Sequence, residues 1–527
     1  MLNDPLATLS SDQQRRRNHL IWWLVYITVL LTGLTIAAVA HMRSYQPYFG
    51  LAWGCFAFLL AAWVRFPRAA FAATLALTLV GDIVTVSWFP FAKNLSSWES
   101  IMYLSDGISV SPLEISLLWA LAVTGYQNLT STGRIFRKAP LLIPFAAFGG
   151  FVLFGLVRGL SRGGDSRAAI FEIRPLILLP LLYVLAVNVC RTRQDYRRLF
   201  GVALAAITVQ ALLSLEYLSR LTPEARDALE SLNQHGAAIG ANLVFMTLIT
   251  ALAYRRVPWG FRLALFAVSI PVIWVYLVSQ RRAAVVALVI GFALFAIVLF
   301  WRQRRTFWKL IPVVTLIAIA YTGAFWNSES TAAFPAQAVK TVIAPDQASA
   351  EDQSSDIYRI LETLNLSATV KSSPLFGIGF GQAFLRPYSL PDISVFEFQA
   401  FIPHNSFIWV WTKMGFGGFV ALLYLIGRTM MQGAARARAA PTGVDAVVAV
   451  NSVIFVAMYT VFLYVDIGWE PRNVFLLAVA MALCTGPLDD ERPPERPTIS
   501  TSTGHADASY ACAGSTDMAE AKSVDLR

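Results

Sequence analysis

Residues 279–302 read SQRRAAVVALVIGFALFAIVLFWR: two adjacent arginines, then an apolar run over 283–301 without a charge. At a rise of about 1.5 Å per residue, roughly 20 such residues cross the hydrocarbon core of a bilayer as one helix. A second apolar run, 261–279, ends just before the arginines. The two must therefore form a tight helical hairpin with Arg281 and Arg282 at its turn. Outward from this hairpin, comparable runs fall near 20–40, 46–64, 69–89, 111–130, 139–157, 174–190, 197–217, 236–254, 307–325, 404–427, 444–466 and 471–486. With the hairpin they make fourteen candidates, the last of them short. The expected fold is an all-α polytopic membrane protein of about 12–14 transmembrane helices, with one long loop between the eleventh and twelfth.

Composition agrees. The 527 residues are 56% hydrophobic and 14% charged, with mean hydropathy +0.57. A soluble domain carries about 25% charged residues, so this chain has too little polar surface to cover itself in water. The first run, His19 to Ala40, follows Arg15, Arg16 and Arg17; it is too long for a signal-peptide core and reads as a retained span. Four isolated cysteines, in no CxxC or Cys/His spacing, suggest neither a metal site nor a disulfide framework.

The net charge of +10 invites a nucleic-acid reading, but the positions of the charges argue otherwise. With the N-terminus in the cytoplasm, seven short inner segments hold 22 Lys and Arg and six short outer connections hold 11. Basic residues favour cytoplasmic loops, so both termini are expected inside, with no nucleic acid as partner. The expected organisation is a cytoplasmic N-terminus (1–19), spans 1–11 (20–325), a periplasmic loop with short helices (326–403), spans 12–14 (404–486) and a disordered cytoplasmic tail (487–527). In the loop, a polar run from Asp346 to Ser355 precedes a stretch, Asp356 to Thr369, that can form an amphipathic helix.

Outer-face positive charge runs against this bias and so needs a reason. Arg281 and Arg282 can snorkel to the interface, or they can form an anion site, since a guanidinium offers phosphate two parallel charge-assisted hydrogen bonds. His404, in Pro403-His404-Asn405-Ser406, stands where the long loop meets the next span; a histidine there is more often a capping or satisfied polar residue than a catalyst. His19, His41, His235 and His505 are weaker candidates, and Asp82 and Lys413, inside apolar runs, can line a polar cavity or pair with a neighbouring helix.

Three stretches now combine. Ser373-Pro-Leu-Phe-Gly-Ile-Gly-Phe-Gly381, then His404-Asn405-Ser406-Phe407 with Gly415 and Gly418, and upstream Ser279-Gln-Arg-Arg-Ala-Ala284, resemble in sequence and order the motifs of the O-antigen ligase/polymerase superfamily of bacterial membrane glycosyltransferases. The resemblance covers roughly 270–430. It departs at Lys413, where the family usually has Glu, and in having two arginines at the hairpin, of which Arg282 is the better match. Arg359 stands where the family places its second arginine.

The resemblance implies transfer of a glycan from undecaprenyl pyrophosphate to an acceptor sugar hydroxyl, on lipid A-core or on a lipid-linked repeat unit. This is polymerisation or ligation of O-antigen or exopolysaccharide at the periplasmic face of the bacterial inner membrane. It implies catalytic roles for His404, Arg282 and Arg359, and substrate contacts from Arg281, Asn405, Arg174 and Gly379. No metal and no cofactor are expected. Imidazole is suited to take a proton near neutral pH, and fixed guanidinium groups can stabilise a departing pyrophosphate. The alternative is a transporter or flippase of a lipid-linked anionic saccharide, which predicts paired half-sequences and broken helices in both halves.

Overall fold

The computed structural model describes residues 11–43, 47–80, 91–97, 100–227, 232–233, 236–328, 330–391, 397–440 and 443–486. Among them regular structure is helical, without strands. The helices are α1 (Ser11–Arg43), α2 (Pro47–Arg65), α3 (Pro67–Val80), α4 (Pro112–Thr132), α5 (Leu142–Ser161), α6 (Ser166–Val189), α7 (Arg193–Arg220), α8 (Pro223–Asp227) and α9 (Ala237–Ala253). They continue with α10 (Trp259–Ser279), α11 (Arg282–Arg302), α12 (Arg304–Ala324), α13 (Phe334–Ile343), α14 (Ala350–Ser372), α15 (Ser406–Ala439), α16 (Val444–Val465) and α17 (Pro471–Thr485).

Each of the fourteen apolar runs overlaps a helix; of the run 69–89, residues 81–89 lie outside the described residues. Nine of the described helices are long and apolar enough to cross a membrane, and α3, α9, α17 and Phe49–Arg65 of α2 are apolar but shorter. The protein is an all-α polytopic membrane protein. The hairpin is as tight as its sequence requires: α10 ends at Ser279, Gln280 turns with φ 48°, and α11 begins at Arg282.

Burial sorts the helices. A helix apolar all round belongs inside a bundle, and α16 meets that description, with Val450, Ile454, Phe455, Met458 and Phe462 all fully buried. It packs against α9, α11, α15 and α17. Gly291 of α11 lets Met458 approach; a Cβ there would lie 2.5 Å from its sulfur. Small residues at such crossings let helices approach closely where lipid supplies no hydrophobic drive. By contrast α12 buries no residue and exposes Val313, Leu316, Ile317 and Ile319, a lipid-facing surface.

Two elements differ from their sequence reading. Helix α6 starts at Ser166 rather than near 174, because Asp165 caps it by accepting from the Arg167 and Ala168 amides. Its first two turns carry Arg167, Glu172 and Arg174, which a hydropathy window rejects. The run 404–427 is also not one continuous helix. Gly415 lies inside α15 at φ 70°, ψ −174°, so the helix is broken there.

The loop over 374–381 fills this break. The Ile378 amide donates to Thr412 O (2.8 Å), the Gly379 amide to Lys413 O (3.1 Å), and the Phe416 amide to Pro374 O (2.9 Å). On its other side the Phe380 amide donates to Gly155 O (3.1 Å) and the Asp165 amide to Gly381 O (2.8 Å). Arg158 of α5 clasps the turn through Nε to Gly377 O (2.8 Å). The glycines are required by this close backbone packing and by their dihedrals. Gly379 has φ 93°, and a Cβ on it would lie 2.3 Å from Gly159 N.

Gly379→Ala is therefore expected to combine a left-handed backbone penalty of about 1–2 kcal/mol with overpacking of about 1–3 kcal/mol. It should lower the midpoint of a thermal melt in detergent by many degrees. Gly149→Ala, where a Cβ meets nothing within 4 Å, should leave the midpoint unchanged or raise it.

Candidate active site

Helix α14 begins where the Ser349 side chain accepts from the Asp352 amide (3.1 Å). Its first turns meet the α10–α11 hairpin. Arg282 Nε lies 3.4 Å from Asp352 Oδ1, and Nη1 donates to Asp356 Oδ2 at 3.1 Å. This guanidinium is mostly buried. Arg281 turns elsewhere, its Nη2 lying 3.5 Å from Asn233 O ahead of α9. The two adjacent arginines thus serve different neighbours.

Two turns along α14, the Glu362 carboxylate meets His404. Its Oε2 accepts from the His404 amide (2.8 Å), and its oxygens lie 3.3 and 3.4 Å from His404 Nδ1. Glu362 is buried, while the imidazole remains about one-fifth exposed. The Tyr358 ring stands edge-on to the imidazole, 5.7 Å between centroids. Burial and the neighbouring Glu362 push the Tyr358 phenol up to about 12, so it is a neutral hydroxyl at working pH.

Arg359 falls between these two contacts. Along a helix, six residues span about 9 Å, so Arg359 sits about 4.5 Å of rise from both Asp356 and Glu362. The turn per residue places it about 60° round the helix from each. It is half-buried, and among the described residues no carboxylate pairs with it. One helix therefore gathers Arg282, Arg359 and His404 along its length.

The other sequence candidates take different places. Asn405 caps α15, its side chain accepting from the Ile408 amide (3.0 Å). Gly379 is committed to the loop in the α15 break. Arg174 is locked to the chain ahead of α4 and its first turn, through Glu114 Oε1 (2.6 Å), Asn94 Oδ1 (2.6 Å) and Ser109 O. None of those partners belongs to α14 or to the residues beside His404. Asp82, His235 and His505 lie outside the described residues, as does the side chain of His41. Among the described residues no group of three or more His, Cys, Asp and Glu could hold a metal ion.

Lys413, standing where a glutamate was expected, has a partner that sequence reading missed. Its Nζ lies 2.6 Å from Glu172 Oε1 of α6, both side chains fully buried, and also donates to Gln382 O. Glu172 further accepts from the Gly381 amide (2.6 Å) and Trp409 Nε1 (3.3 Å). This pair ties α6, the glycine loop and the first half of α15 together.

The arrangement can do two things chemically. Arg359 carries a positive charge with no carboxylate partner among the described residues, whereas the charge of Arg282 is shared with Asp352 and Asp356. His404, with Nδ1 against a carboxylate, can take a proton on Nε2, because the bond made by one ring nitrogen sets the role of the other.

A family model described as O-Antigen ligase matches residues 267–423. The matched segment contains the arginine hairpin, α14, the glycine loop and His404. No curated protein matches the chain.

Breaking a buried ion pair by removing one partner costs about 3–5 kcal/mol, whereas apolar replacement of both is often near neutral. Lys413→Met and Glu172→Leu should each lower the melting midpoint sharply, and the double substitution should recover most of the loss. Equal damage from the double variant would mean that the surrounding hydrogen bonds, rather than charge balance, set the requirement.

Proposed function

We propose that this chain, whose residues 267–423 match a family model described as O-Antigen ligase, transfers a glycan from undecaprenyl pyrophosphate to a saccharide hydroxyl at the periplasmic face of the inner membrane. The observation that carries the reading is the convergence on α14: Arg282 at its start, Arg359 in its middle and His404 on Glu362.

In this reading the acceptor hydroxyl oxygen attacks the anomeric carbon of the donor sugar while the bond from that carbon to the pyrophosphate oxygen breaks. His404 Nε2 takes the hydroxyl proton. Glu362, against Nδ1, keeps the ring in the tautomer that can accept and stabilises the imidazolium formed. The pyrophosphate leaves with added negative charge, which Arg282 and Arg359 stabilise electrostatically. Asp352 and Asp356 hold the Arg282 guanidinium in place beforehand, so binding exchanges carboxylate contacts for phosphate contacts. The polyprenyl chain lies against the lipid-facing apolar surface, and the acceptor is lipid A-core or a second lipid-linked unit. The positive-inside charge bias supports the periplasmic placement.

The test is glycan transfer in proteoliposomes given a lipid-linked oligosaccharide donor, with EDTA present. Transfer should persist in EDTA, because two guanidinium groups supply the positive charge. His404→Ala should lower the rate by about 10²–10⁴-fold, the usual worth of a positioned base. Arg282→Lys should not restore what Arg282→Ala loses, since an ammonium lacks the bidentate fork. Donor crossing the bilayer chemically unchanged, or transfer surviving His404→Ala, would overturn the reading; product length separates ligation from polymerisation.

Glu362→Gln should leave the protein folded, because an amide oxygen can still accept from the His404 amide. It should lower the rate less than His404→Ala does. A Glu362→Gln enzyme with the wild-type rate would make Glu362 purely structural.

A further inference from the structure

The α10–α11 hairpin has a second charged end. Helix α11 runs from Arg282 to Arg302, about 30 Å at helical rise, so Arg302 lies one hydrocarbon thickness from the hairpin turn. There the α9–α10 connection, the junction of α11 with α12 and the start of α16 border an open cavity of about 600 Å³. Arg255, Arg256, Arg302, Arg304, Arg305 and Thr306 line it, and among the described residues no carboxylate does.

Two of these arginines are set in place by neutral groups. Arg302 Nη1 donates to Ala437 O, and its guanidinium lies 6.0 Å from the Tyr254 ring centroid. Arg304 lies 4.9 Å from the Phe300 ring centroid. These contacts orient the guanidinium groups without neutralising them. Arg255, Arg302, Arg304 and Arg305 face one space as like charges that repel, and the repulsion is relieved by an anion.

The level of the cavity identifies the anion's source. Trp259, Trp301 and Trp308 stand at this end of α10, α11 and α12, respectively 72%, 76% and 66% exposed. Tryptophan collects at the membrane–water boundary, with its ring at headgroup depth. The cavity therefore opens among lipid phosphates. A topological charge bias asks only for basic residues in loops; it does not ask for several arginines lining one cavity at the level of three exposed indoles.

We propose that this cavity binds the phosphate of an anionic phospholipid in the leaflet opposite the α14 site. The guanidinium forks hold the phosphate oxygens and the acyl chains run down the exposed apolar faces of α10 and α12.

The test uses the full chain purified in neutral detergent and titrated separately with phosphatidylglycerol, phosphatidylcholine and inorganic phosphate. Bound lipid is read by native mass spectrometry and stability by the thermal midpoint. Phosphatidylglycerol should bind at least about tenfold more tightly than phosphatidylcholine and should raise the midpoint. Arg255→Gln/Arg304→Gln should abolish that preference, and Arg305→Gln alone should weaken it if the double variant does not fold. Arg198→Gln, an exposed arginine at the start of α7 outside the cavity lining, should keep it. Equal binding of the two lipids, or a preference that survives the cavity substitutions, would overturn the proposal. An equal midpoint shift from inorganic phosphate alone would replace it with a soluble-anion site.

Discussion

A helix broken inside a membrane protein leaves amides and carbonyls that lipid cannot satisfy, so protein must do it. In this chain the requirement falls at Gly415, and the loop over 374–381 meets it with hydrogen bonds on both sides of the break. Much else hangs from that junction. The C-terminal end of α14 leads directly into the loop at Ser373, and the first half of α15 begins two residues after His404. The two segments that carry Arg359, Glu362 and His404 are thus fastened to one knot. The Glu172–Lys413 pair supplies the second fastening, reaching from α6 to the loop and to α15.

This joint also explains how a charge can be reversed without losing the contact. A glutamate at position 413 would need a cationic or donating neighbour; a lysine there needs a carboxylate, and Glu172 supplies it. A lone charge so deeply buried would be very costly, and pairing with further hydrogen bonds makes it tolerable. Glu172 accepts three contacts in addition to its electrostatic attraction to Lys413, counting the Gly381 amide, Trp409 and Lys413 Nζ. The Arg174–Glu114 pair does related work at the other wall, where the same glutamate also caps α4.

The order of the apolar helices was legible because an apolar run of spanning length leaves little choice of structure in lipid. The hairpin at 279–282 was legible for the same reason, since no connecting residues remain once two helices are drawn. The break at Gly415 was not, because a glycine inside an apolar run reads as an ordinary small packing residue; only the distant loop that fills the gap reveals its role. The true start of α6 was hidden by Glu172 and Arg174, polar residues whose partners lie far away in sequence. At the site, Arg282, Arg359 and His404 were singled out, but what brings them together was not. Glu362 is one turn beyond Arg359 on the amphipathic stretch and could have been noticed by that spacing, yet its contact with His404 spans 42 residues. Asn405, Arg174 and Gly379, expected to contact substrate, have capping, bracing and packing contacts in the structure. Residue type alone does not separate those uses from binding.

Because α14 meets the hairpin at Asp352 and Asp356 and meets His404 at Glu362, its register fixes the separation of the two ends of the site. A single inserted residue between 356 and 362 turns everything beyond it by about 100° and moves it by about 1.5 Å. Arg282 and His404 could not then both keep their partners. A length change on either side of this segment leaves both contacts in register, so the interval 352–362 acts as a fixed gauge between Arg282 and His404.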